Sequence, residues 1–167
     1  MWWSAIELGA LDARHAHALG LHLLALEPAA RHGRFGHTLG DEAVLDWVRR
    51  LPWAQQRWWG AWTRGEALLI GALQLAPAGM TGWELGLSVA APARGRGLGT
   101  ALLATAAQHL PLRAAEGLVC VQGHPAVQRM AHRLGWSMSA DAAGWRLRPQ
   151  AGGWANAGSL LQKSSNQ

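Results

Sequence analysis

Apolar and polar positions along the chain switch between a period near two and a period near 3.6, and the switches mark out short elements. Trp3 to Leu8 reads as an opening strand, and Asp12 is a good cap for a helix with an apolar face over Ala13 to Leu26, which Pro28 stops. Arg31-His-Gly-Arg-Phe-Gly-His37 reads as a basic, glycine-containing loop. Asp41 to Leu51 is predicted as a second helix: its first turn is acidic and its last carries Arg49 and Arg50, matching the dipole at both ends before Pro52. Gln56 to Trp62 and Ala67 to Leu75 read as antiparallel strands around a short turn at Thr63-Arg-Gly-Glu66. A strand over Trp83 to Ala90, a helix over Gly97 to Leu110, a strand over Leu118 to Val121 and a helix over Pro125 to Leu134 follow. Two short strands around Ala140 to Gly144 complete the pattern. The order β-α-α-β-β-β-α-β-α-β-β is that of an α/β (α+β) domain over residues 1–148. From 149 to 167 the chain has too little apolar content to pack, and it reads as a loose tail.

The length of 167 residues suits one domain with a full core. The apolar runs are too short or too interrupted to span a bilayer, and the start Met-Trp-Trp-Ser-Ala-Ile-Glu lacks the form of a signal peptide. Cys120 is the single cysteine, so no intramolecular disulfide forms, which fits a reducing cytoplasm. The formal charge of +5 invites nucleic acid as a partner, but the arginines are spread along the chain without a dense basic block. Neither a nucleic-acid nor a membrane partner is expected.

The segment Val89 to Leu103 carries the strongest chemical signal. Here a strand breaks into a Gly/Arg turn and resumes as a helix, so Gly95, Gly97 and Gly99 let successive N–H groups approach one phosphate. The first turn at Leu98 and Thr100 adds unpaired N–H groups and the positive end of the dipole, and Arg94 and Arg96 add charge. A dinucleotide fingerprint is absent, because the third glycine position is Thr100 and no acidic residue sits about 20 residues on. A phosphate-binding Gly-Lys-Ser/Thr loop is absent too, since the only lysine is Lys163. What remains is Arg94-x-x-Gly97-x-Gly99 after Val89-x-x-Pro92, or else an ordinary glycine-rich turn.

This motif resembles the coenzyme A pyrophosphate loop of the GNAT superfamily of N-acetyltransferases, and the element order is similar over residues 3 to 148. Arg34-Phe35, Asp41-Glu42-Ala43 and Glu84-Leu-Gly-Leu-Ser-Val-x-x-Pro suggest a bacterial branch of it. The resemblance implies a mixed, mostly antiparallel sheet whose central parallel strands splay apart. It also implies acetyl-CoA as co-substrate, no metal, and transfer of the acyl group to a primary amine of a small molecule or peptide by direct attack. The pantetheine arm would then lie along the backbone of Leu87, Ser88 and Val89, with His124 near the cofactor. The resemblance also allows a homodimer.

Direct attack needs a proton acceptor, because a protonated amine has no lone pair. Glu84 is the only carboxylate on the strand entering the phosphate loop. Period two puts it on one face with Gly86 and Ser88, opposite Leu85, Leu87 and Val89. A Glu on this strand serves as base in many GNAT enzymes; the alternative is a solvent-facing side chain. The leaving thiolate takes its proton from a Tyr in many members, whereas this chain has no Tyr and aligns Ala131 at that position. His124 and His132 are the candidate substitutes, with water as a third source. Phe35 either pins its loop or lines an acceptor site beside Arg31, Arg34 and His37, which would suit a carboxylate or phosphate. The tryptophans pack core and sheet, and Trp83 is a further candidate to line the acceptor. No Ser-His-Asp or Cys-His series stands out, and neither the His15/His17 nor the His32/His37 spacing suits a metal. The competing function is a catalytically silent coenzyme A-binding regulatory module.

Overall fold

The computed structural model describes residues 2–79, 82–109, 117–120, 124–142 and 144–150. Among these residues seven strands form one sheet: β1 (Ile6–Leu11), β2 (Arg57–Thr63), β3 (Leu69–Ala78), β4 (Gly82–Val89), β5 (Leu118–Cys120), β6 (Trp136–Asp141) and β7 (Gly144–Pro149). Their spatial order is β1-β2-β3-β4-β5-β7-β6, antiparallel throughout except for the parallel pair β4/β5. Among the described residues, five α-helices accompany them: α1 (Ala16–Leu24), α2 (Pro28–Phe35), α3 (Asp41–Arg49), α4 (Leu98–His109) and α5 (Pro125–Arg133).

Alternation along β2 sends neighbouring tryptophans to opposite layers. Trp58 packs with Leu19, Leu23, Val44 and Val48 of α1 and α3, while Trp59 packs in the core that holds Leu98, Leu102 and Met130 of α4 and α5. Helix α4 is apolar on nearly every side, with Leu98, Leu102, Leu103, Ala104, Ala106 and Ala107 buried. Such a helix belongs against a sheet face rather than on the surface.

Asp12 caps the chain entering α1 as expected. Its carboxylate accepts the Arg14 N–H at 2.9 Å while its own N–H donates to His15 Nδ1 at 3.0 Å. The guanidinium of Arg14 holds the Asp12 carboxyl down at about 2.

Two expectations are corrected. The opening strand is Ile6–Leu11, and Trp3–Ala5 form a single 3-10 turn instead. The basic loop at 31–37 is mostly helix: Pro28 begins α2 rather than only ending its predecessor, because the first helical position needs no N–H donor. Gly36, at φ +78°, then closes α2, its N–H donating to His32 O at 2.7 Å. The tail expected to be loose lies, over 151–167, outside the described residues.

Candidate active site

Among the described residues, strands β4 and β5 pair only at Trp83 with Leu118 and at Glu84 with Val119, and β4 then runs on to Val89 without a described partner on that side. Over these residues the sheet opens from the middle. Ala90 N–H donates to Ile70 O on β3, and main-chain groups turn to alternate edges along a strand, so Gly86 and Ser88 face β3 while Leu87 and Val89 face the gap. Of the expected backbone segment, Leu87 and Val89 thus offer main-chain groups to an extended ligand, and Ser88 does not. The Val89 carbonyl already accepts Arg94 Nε at 3.0 Å.

At the mouth of the gap the chain turns through residues 94–97 into α4. Gly95 and Gly97 adopt φ of +73° and +84°, a region that disfavours L side chains. Gly99 is different. It is helical, and its missing side chain makes room for Met130, whose sulfur would lie 2.9 Å from a Cβ there. The Arg94 N–H is used by Ala91 O, and the first bond into α4 runs from Ala101 N–H to Gly97 O. Among the described residues, the N–H groups from Gly95 to Thr100 have no acceptor within the chain. Main-chain donors converging at a helix start form an anion site. Arg94, expected as a phosphate ligand, forms a bidentate pair with Glu27 (3.1 and 2.6 Å), the residue just before α2. Arg96 lies over the Trp2 ring instead, 5.3 Å from its centroid.

A cleft of about 1200 Å³ joins this loop to the acceptor face of β4, lined by Glu84, Gly86, Ser88, Phe35, Trp47 and Met130 among others. Glu84, Gly86 and Ser88 share the side of the sheet that carries α1 and α2, as period two requires. Ser88 Oγ lies 2.9 Å from His22 Nε2, and the guanidinium of Arg34 rests against Gly86. Burial pushes the Arg34 guanidinium down to about 10, and the nearby Glu84 charge opposes that shift.

Other expected site residues fall differently. His124 caps α5, its Nδ1 accepting the Ala126 N–H at 3.1 Å, and lines the cleft. Ala131, aligned where the family carries its tyrosine, is buried in the core; α5 presents Val127, Arg129 and Met130 to the cleft instead. His132 is exposed on α5, away from the cleft lining. Trp83 packs on the core face opposite Glu84 and does not line the cleft, so the expectation that it contacts the acceptor is corrected. Arg31 is taken up by Leu24 O, Leu39 O and Asp41, which fastens α2 to its neighbours. The described residues contain no group of three or more His, Cys, Asp or Glu suited to a metal ion.

The model of the acetyltransferase (GNAT) family matches residues 21–136. The chain belongs to the GNAT acetyltransferase family. Its general activity is accordingly acetyl transfer from acetyl-CoA. No curated protein matches the chain. An acetyltransferase from Thermus thermophilus is similar in structure, with TM-score 0.63 and 20% identity over 87% of this chain and 97% of that one. The GNAT domain of the S. lividans protein PAT gives TM-score 0.62 and 17% identity over 85% and 88%. The PaiA N-acetyltransferase of Thermoplasma acidophilum, solved with coenzyme A, gives 0.58 and 14% over 87% and 99%. These likenesses concern the GNAT fold, with its opened central strands.

The sequence set Arg34 beside the acceptor, but gave neither its seat against Gly86 nor the His22–Ser88 pair. One signal was available for the first: a glycine inside a strand, between two polar residues of one face, marks a place where something approaches closely.

Proposed function

We propose that the chain is an acyl-CoA-dependent N-acyltransferase that moves an acetyl group from acetyl-CoA to a primary amine of a small molecule or peptide, with both bound together. The observation that carries this reading is the set of free N–H groups from Gly95 to Thr100 at the mouth of the strand gap, with Glu84 on the acceptor face of the adjoining strand. The amides of 95–100 would hold the pyrophosphate, and the gap-facing main chain of Leu87 and Val89 the pantetheine arm. Acetyl-CoA supplies a thioester whose carbonyl carbon forms the new bond to nitrogen while the thiolate leaves.

The residues have two proton tasks. Near pH 7 an alkylamine of pKa ~10.4 must lose a proton at a cost of roughly 4 to 5 kcal/mol before its lone pair is available. Glu84, exposed in the cleft, takes that proton directly or through water. At the thiolate end, His124 is the donor. Its Nδ1 accepts from the backbone, which leaves the neutral ring's hydrogen on Nε2. The apolar Val127 and Met130 beside it favour the second reading, a coenzyme A-binding module without turnover.

Glu84→Gln separates the two. With acetyl-CoA and a panel of amines, the variant should keep its thermal stabilisation by acetyl-CoA while thiol release falls about a hundredfold. An unchanged rate would remove Glu84 from the mechanism, and no release by the native chain with any amine would leave the silent module.

A further inference from the structure

Arg34 stands apart from the other arginines of the acceptor side. Arg94 is held by Glu27, Arg50 by Asp46, and Arg31 by Asp41 and two carbonyls. Arg34 is half-buried and lines the cleft, yet among the described residues no carboxylate lies within 4.0 Å of it. It makes one side-chain hydrogen bond, from Nη2 to Gln74 Oε1.

Its position is built from three sides. The rings of Phe35, Trp47 and Trp58 surround it at 5.3, 5.3 and 5.9 Å, holding a cation without neutralising it. Gln74 is fixed in turn: its Nε2 donates at 2.8 Å to Gln56 Oε1, which also accepts Trp58 Nε1 at 3.1 Å. That leaves Oε1 of Gln74 for Arg34. Beneath the guanidinium lies Gly86, where a Cβ would stand 2.6 Å from Arg34 Cζ.

Accepting the reading of the chain as an N-acyltransferase, we propose that its acceptor is a free amino acid, whose amine meets Glu84 and whose carboxylate pairs with Arg34. Glu84 and Gly86 are two residues apart on one face of β4, about 7 Å between Cα atoms. The charges they bring together are therefore one anion and one cation at the scale of an amino acid's own two charges. A polyamine would set positive charge against Arg34. A peptide N-terminus would bring no carboxylate near its amine, and a phosphate dianion would leave excess negative charge beside Glu84. A planar carboxylate also suits the flat guanidinium fork.

The test measures thiol release from acetyl-CoA with the standard amino acids, the carboxamide and the decarboxylated amine of each, and spermidine. At least one amino acid should show kcat/KM roughly ten- to a hundredfold above its own carboxamide and decarboxylated amine. Arg34→Met should raise KM for that amino acid and bring the ratio to near one, while Arg34→Lys should retain part of it. Gly86→Ala should act like Arg34→Met, because the atoms it displaces are the far end of a flexible side chain and the sheet need not move. The proposal is overturned if carboxamides, decarboxylated amines or spermidine match every amino acid. It is equally overturned if Arg34→Met and Gly86→Ala slow acid and amide alike. Absence of release from every amine, with acetyl-CoA still stabilising the fold, would instead overturn the N-acyltransferase reading on which this rests.

Discussion

Ser88 donates its hydroxyl hydrogen to Nε2 of His22 across 2.9 Å, joining residues 66 positions apart in sequence. The other ring nitrogen fixes this direction: Nδ1 lies 3.0 Å from Leu69 O, and a carbonyl only accepts. His22 is 3% exposed, and burial pushes its pKa down to about 4. In the unfolded chain the ring returns to its ordinary 6.5, so between these values the unfolded state binds a proton that the folded state refuses. Stability should be fully present above pH 6.5 and should fall by roughly 3 kcal/mol on acidification to pH 4. Urea unfolding across that range checks this, with His22→Leu expected to flatten the slope. A native profile that is already flat would contradict it. Asp12 and Glu27, both lowered by arginine partners, lose their contributions only at more acid pH.

Gly97→Val should remove cofactor binding without unfolding the chain. Among the described residues a Cβ at this site meets only Trp3, at 3.7 Å, so there is room. The cost lies in the backbone, since φ of +84° in an L residue is unfavourable by roughly 1 to 2 kcal/mol. Calorimetry with acetyl-CoA should show no heat, and circular dichroism a folded protein with a lowered melting temperature. Undiminished binding would show that these amides do not hold the pyrophosphate.

Glu27→Gln should tighten acetyl-CoA binding a few-fold. The pair with Arg94 is solvent-exposed and so weak, yet it occupies the one arginine of the motif that reaches from the loop to the start of α2. Releasing it leaves Arg94 free for phosphate. Titrations of native and variant protein, repeated in high salt, should converge as screening removes the difference; weaker binding by the variant would refute the competition.

His124→Asn distinguishes a cap from an acid. Asparagine is as good a helix cap, so melting temperature should hold, whereas His124→Ala should lose about 1 kcal/mol. If the imidazole protonates the leaving thiolate, both variants lower kcat about tenfold, and a more acidic thiol in place of coenzyme A restores it. Native kcat in the asparagine variant would leave His124 as a cap alone.

The parts of this molecule that sequence disclosed are those written within a few residues of each other. The shared face of Glu84, Gly86 and Ser88 follows from alternation alone. The left-handed turn before α4 follows from the glycines at 95 and 97. Helix α2 was missed because a proline that ends one helix can equally begin another, and its basic composition gave little apolar stripe to read. Arg34 over Gly86, Glu27 on Arg94 and His22 on Ser88 depend on helices crossing strands placed far along the chain, where local pattern is silent. On α5 the turn of the helix decides which side chains reach the cleft: Ala131 is buried away from it, whereas Met130, also buried, lines it.

The parting of β4 from β5 has one more consequence. Unsatisfied main-chain groups usually lie at the rim of a sheet, where any extended chain can add to them and aggregation begins. Among the described residues such an edge is sunk inside the sheet, with helices on either side. A slender linear molecule can thread to it, and a bulky strand from another protein cannot.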